Sequence, residues 1–159
     1  MMLFCPDHAE RLARIVDRLN VAEDATGDLL RSIVAEASDR LAASGQGRTA
    51  AQLEALMKAG GWIDTALLLI ETALPCWKLR RLAYDEGEWQ CALSRQREFP
   101  EWLDEAIEVS HRNLALAVLK AVVVAMRKNH RVLLRGYCRS NVLEVWPRDS
   151  KGKSGVPSM

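Results

Sequence analysis

Trp77-Lys78-Leu79-Arg80-Arg81-Leu82-Ala83-Tyr84-Asp85-Glu86-Gly87-Glu88-Trp89-Gln90-Cys91-Ala92-Leu93 is the stretch that decides the fold. Asp85-Glu86-Gly87-Glu88 is turn chemistry between two apolar-rich runs, which predicts a β-hairpin with strands 77–84 and 89–93. In the second strand Trp89, Cys91 and Leu93 point one way, while Gln90, Ala92 and Ser94 point the other. The first strand breaks phase. Trp77 and Leu79 share one face, and Leu82 and Tyr84 share the opposite one. A bulge near Arg80-Arg81 reconciles them. Trp77 and Trp89 are placed to meet across the hairpin, where an aromatic pair adds up to about 1 kcal/mol.

Helices flank this hairpin. Ile63, Leu67, Ile70 and Leu74 recur at helical spacing, widened by Ala66 and Ala73, and Pro75 stops the run by pushing Leu74 toward extended geometry. Pro100 suits the first turn of a helix over residues 101–109, whose Glu101, Asp104 and Glu105 match the positive end of the helix dipole. Ser110-His111-Arg112-Asn113 offers a cap, and a helix from Leu114 to about Lys128 follows. It is apolar nearly all round, so it should be covered on most sides.

Upstream, Leu12, Ile15, Val16 and Leu19 form one amphipathic stripe over residues 7–20, with Pro6 near the first turn. Leu30, Ile33, Val34, Ala37 and Leu41 form a second over residues 28–42. Gly27 costs about 1 kcal/mol inside a helix, which favours a break between the two. Residues 44–48 read as a linker. Thr49 with Gln52 fits a capping box for a short helix bearing Leu53, Leu56 and Met57, and Gly60-Gly61 ends it. Beyond Asn129 the pattern weakens. Val132-Leu133-Leu134 and residues 142–146 read as short strands, and residues 148–159 as disordered.

Composition narrows the class. At 159 residues one domain with a real core is the natural expectation. The net charge of +1 hides an asymmetry. Residues 1–126 carry 14 Lys and Arg against 19 Asp and Glu, and residues 127–159 carry 8 against 2. The four cysteines (Cys5, Cys76, Cys91, Cys138) are scattered, and Met1 to Cys5 runs into Asp7, His8 and Glu10 without a leader pattern. Reduced thiols in a cytoplasmic protein follow, with Cys76 and Cys91 as small packing residues rather than a bridge. The longest apolar run, 114–126, is interrupted by Lys120 and is too short for a bilayer, so no membrane partner is expected.

No motif for chemistry stands up. Lys151-Gly152-Lys153-Ser154 lacks the upstream glycine of a phosphate loop, since Pro147 holds that position. Cys5 and His8 have no second ligand pair for a metal. The acids at 85–88 and 101–108 read as a solvated turn and helix start, and His111 as a capping neighbour. No catalytic, cofactor or metal residue is therefore assigned. Arg80, Arg81, Arg95 and Arg97 lie on or beside the hairpin. With Arg127, Lys128, Arg131, Arg135 and Arg139 they form the candidate nucleic-acid contact set.

Gly61-Trp62-Ile63-Asp64-Thr65-Ala66-Leu67, Leu74-Pro75-Cys76-Trp77-Lys78-Leu79, Trp89-Gln90-Cys91-Ala92-Leu93 and Leu114-Ala115-Leu116-Ala117-Val118-Leu119-Lys120-Ala121 together resemble the pattern of the phage ABA sandwich domain proteins, over about residues 61–127. The resemblance implies a small sheet flanked by helices and a bacterial, mobile-element origin. It carries no catalytic residue over. The chain departs from that pattern in its long helical N-terminal part, in the insert between the second strand and the last helix, and in its basic tail.

The expectation is an α+β fold: a small antiparallel sheet centred on the hairpin, packed against helices 63–74 and 114–128, with a helical N-terminal part. The chain divides into an N-terminal helical segment 1–45, a core 49–128 and a basic tail 129–159. The leading function is a non-enzymatic accessory or interaction protein that meets a protein partner, or itself, through exposed parts of helices 7–20 and 28–42. The alternatives are weak, sequence-nonspecific nucleic-acid binding and a small enzyme of unknown class.

Overall fold

A computed structural model describes residues 6–43, 47–95 and 106–133. Among them the chain runs α1 (Pro6–Val21), α2 (Gly27–Ala43), α3 (Gly47–Lys58), α4 (Trp62–Ala73), β1 (Lys78–Asp85), β2 (Glu88–Ser94), β3 (Ile107–His111) and α5 (Leu114–Leu133). The strands form one antiparallel sheet in the order β1-β2-β3, so the α+β class holds.

The hairpin closes through a two-residue loop. Glu86 (φ 50°) and Gly87 (φ 89°) both take positive φ, the geometry whose twist matches the flanking strands. Pairing runs Asp85 to Glu88, Tyr84 to Trp89 and Leu82 to Cys91, then slips one residue so that Leu79 meets Leu93. Arg80 is the extra residue of the expected bulge. It lets Leu79 and Leu82 lie on the same face as Cys91 and Leu93. Trp77 and Trp89 do not meet. They sit at opposite ends of the hairpin, and Trp89 packs on Tyr84 instead, with centroids 5.2 Å apart.

The third strand corrects the expected helix over 101–109. Residues 101–105 lie outside the described set, and 107–111 pair with β2: Ile107 with Leu93, Val109 with Cys91, His111 with Trp89. The reason is a period of two. Ile107 is buried and Val109 is half-buried against the core, while Glu108 between them is exposed. That alternation outweighs the acidic helix-start signal once β2 offers an open edge.

α5 is the hub. Residues 115–119, 121–123, 125 and 126 are all buried. It packs against β2 and β3 and against α1 and α4. Each fully buried Leu or Val here contributes about 1.5–3 kcal/mol of transfer free energy. Its start is set by Asn113, whose Oδ1 accepts from the amides of Ala115 (2.9 Å) and Leu116 (3.3 Å). α5 continues past Lys128, so Val132 and Leu133 belong to it rather than to a strand. The readings for residues 142–146 and 148–159 lie outside the described residues. Among the described residues no helix is long and apolar enough to cross a membrane.

Around the hub, α1 buries Leu12, Ile15 and Leu19, and α2 buries Leu29, Leu30, Ile33, Ala37 and Leu41. They are two helices, and Thr26 Oγ1 accepts from the Leu29 amide at the start of the second. Glu36 ties them, lying 2.6 Å from His8 Nδ1 and accepting from Arg11 Nε at 2.7 Å. α4 buries Ala66, Leu69, Ile70 and Ala73, with Ile63 and Leu67 only half-buried, so its core face is rotated from the expected one. α4 packs mainly on α5 and touches the sheet lightly.

α3 starts at Gly47, two residues before Thr49. Thr49 is therefore inside the helix rather than at the head of a capping box. Its other end is a left-handed cap. The Gly61 amide bonds to the Leu56 carbonyl, the Gly60 amide to that of Met57, and Gly60 has φ 74°. Nothing lies within 4 Å of a Cβ at Gly60. Gly60→Ala should therefore cost only the conformational term, about 1 kcal/mol, read from the denaturant midpoint. An unchanged midpoint would show that this cap contributes nothing.

Candidate interaction surface

The stripes of α1 and α2 are consumed inside the chain: their residues form the core beside α5 and α4. The exposed parts of these two helices, the expected contact surface, therefore lie outside that core. Among the described residues one edge of α2 stays open. Arg31, Val34, Ser38 and Leu41 are spaced three, four and three residues apart, which places them on a single helical face. Gly47, Ala50, Glu54 and Met57 repeat that spacing on α3, with Leu53 beside them. The two rows line a groove of about 680 Å³.

Its chemistry follows from its walls. Val34, Leu41, Ala42, Ala50, Leu53 and Met57 make it predominantly apolar. Arg31 stands on the α2 wall and Glu54 on the α3 wall. Among the described residues each is held by an exposed pair on its own helix: Arg31 to Asp28 at 3.0 Å, and Lys58 to Glu54 at 3.0 Å. Such surface pairs are worth under about 1 kcal/mol and can be exchanged for a partner's charge. α3 buries Thr49 and Leu53 and packs more on α4 than on α2, which leaves the space between α2 and α3 open.

The candidate cations among the described residues are divided between the sheet and α5. Arg95 is drawn inward: its guanidinium lies 5.0 Å from the Trp77 ring centroid and donates to Asn129 Oδ1 on α5. It is a structural link rather than an exposed contact. Arg81 is exposed, and Arg80 is half-buried at the bulge. Arg81 shares a shallow depression on the sheet with Asp85 and Glu108, which breaks any continuous positive field. Arg127 is half-buried and Lys128 exposed near the end of α5, and Arg131 lies in the same helix. Arg97, Arg135 and Arg139 lie outside the described residues.

Cys76 and Cys91 are free thiols. Cys91 packs in the core as expected, but Cys76 is exposed at the corner before β1 and is not a packing residue. Glu71 and Glu108 are exposed as well. The groove residues Val34, Leu41, Leu53 and Met57 were visible in the sequence as apolar positions of two helices. Nothing local told which of them the core would use.

No protein-family model, curated protein or solved structure matches the chain.

Proposed function

We propose that the protein is a non-enzymatic interaction module whose α2–α3 groove takes the apolar face of an amphipathic helix from a protein partner. The observation that carries it is the groove itself: among the described residues α2 and α3 leave between them a mainly apolar cleft, lined by the buried Leu41 and Leu53, the half-buried Val34 and Met57 and the exposed Ala42 and Ala50. The 12 residues of α3 span about 18 Å, room for three turns of a guest helix anchored at i, i+4 and i+7. Arg31 and Glu54 on opposite walls favour a guest with an acid toward α2 and a base toward α3. We place the protein in the cytoplasm, a setting supported by the free thiols. The likeness to phage ABA sandwich proteins, with its bacterial mobile-element origin, belongs to the same proposal.

Panning a library of helical peptides against the full chain tests it. Ala50 is exposed, so Ala50→Trp should fill the groove without disturbing the fold, as circular dichroism and melting would verify. Enriched peptides should carry helically spaced apolar anchors and lose at least about tenfold in affinity on Ala50→Trp. Peptides that bind both proteins equally, or no enrichment at all, would end the proposal. A dimer of the free protein that Ala50→Trp disperses would replace the partner by a second copy.

A further inference from the structure

A second opening lies elsewhere in the molecule and has the opposite chemistry. Residues 20–23 at the end of α1, Glu88 at the start of β2, residues 110–112 at the end of β3 and Lys120 on α5 enclose a cleft of about 620 Å³. Lys120 is the one charged side chain between Leu114 and Met126, the most apolar run of the chain. A cation on such a helix costs desolvation unless its head reaches polar company. Lys120 Nζ donates to the Ser110 carbonyl at 3.3 Å, and no described carboxylate lies within 4 Å of it. An ammonium has three protons, so one carbonyl leaves capacity for a ligand.

The neighbours are set for the same task. The Asn113 amide donates to His111 Nδ1 at 2.9 Å. In the neutral ring this fixes the proton on Nε2, which makes His111 a second donor. Asn113 also clasps the two sides of the site, because its Nδ2 donates to Asp24 in the loop after α1 at 3.1 Å. Arg112 adds an exposed cation. Glu23 and Glu88 line the same cleft, and neither has a described cation within 4 Å. Two cations and two carboxylates therefore face one space without pairing to one another.

We propose that this cleft binds a small zwitterion, an amino acid or short peptide, with its carboxylate on Lys120, His111 and Arg112 and its ammonium on Glu23 and Glu88. A doubly charged phosphate suits the site less well, since Lys120 and Arg112 are balanced by the two glutamates. The site does not depend on the α2–α3 groove, and its failure would leave that reading untouched.

Amide chemical shifts of the full-length protein give the test, first with a pool of the twenty free amino acids and a set of dipeptides, then with single members. Zwitterions should shift residues 110–112 and 20–23. Acetylating the amine or amidating the carboxylate should each weaken binding by about tenfold. Lys120→Met, which keeps the apolar stem, should abolish carboxylate recognition, and Lys120→Arg should restore it. Glu88→Gln, at the edge of the cleft, should weaken only ligands with a free amine. No shift with any zwitterion, an equal response to inorganic phosphate, or binding that survives Lys120→Met would overturn the proposal.

Discussion

Replacing Trp77 by alanine should lower the free energy of unfolding by about 3–5 kcal/mol, the range for truncating a fully buried aromatic. Trp77 is 0% exposed although it stands just outside β1, in the corner that follows α4. Its amide bonds to the Leu74 carbonyl at 2.9 Å, so the Leu74-Pro75-Cys76-Trp77 turn aims the indole inward. The ring then meets the Arg95 guanidinium, which donates to Asn129. One side chain thus joins the α4 corner, the end of β2 and the end of α5. Its indole N–H finds no acceptor among the described residues, so phenylalanine forfeits no hydrogen bond there. Trp77→Phe should cost less than half as much as Trp77→Ala. Urea denaturation of the two variants separates the cases. A loss below about 1 kcal/mol for alanine would show that the corner is not anchored by this residue.

The second large effect is chemical. In a Cys5→Ser, Cys138→Ser background, iodoacetamide at pH 8 should modify Cys76 readily and Cys91 at least about 100-fold more slowly. Burial pushes the Cys91 thiol from 9.0 up to about 11, a hundredfold loss of thiolate before access is considered. Cys76 is exposed. The sign for stability follows from the same shift. The folded thiol holds its proton more tightly than the unfolded one, so this contribution is complete below about pH 9 and is lost as pH rises toward about 11. Equal labelling rates in the native protein, with Cys91 slowed no more than Cys76, would place Cys91 outside the core.

These two side chains mark what local reasoning could and could not reach. Cys91 was legible, because alternation along β2 assigns its face whatever packs there. Trp77 was legible as an aromatic to be buried, but not its neighbour. The expected partner Trp89 lies at the far end of the hairpin, and the actual one, Arg95, is one of the candidate nucleic-acid contacts. Arg95 acts through Asn129, 34 residues away, and no spacing rule covers such a pair.

The devices that depend on a few adjacent residues are legible locally. Glu86-Gly87 makes the tight turn, one residue too many in β1 makes the bulge, Pro75 ends α4, Gly60 takes the left-handed cap, and Asn113 starts α5. Each is fixed by backbone sterics or by a side chain reaching its own turn. The apolar surround of residues 114–126 likewise dictated a helix covered on most sides. Tertiary structure decided the rest. It made residues 107–111 a strand, because β2 had an edge to fill. It seated Leu41 and Leu53 in the core and left Val34 and Met57 half-buried at the groove, because α2 packs on α1 and α4 while α3 packs mainly on α4. It brought Asp24 to Asn113 across 89 residues and set the end of α1 beside Lys120 in the polar cleft. Periodicity tells which face of an element is apolar. Only the competition of all the elements for the same volume decides which part of that face is left open.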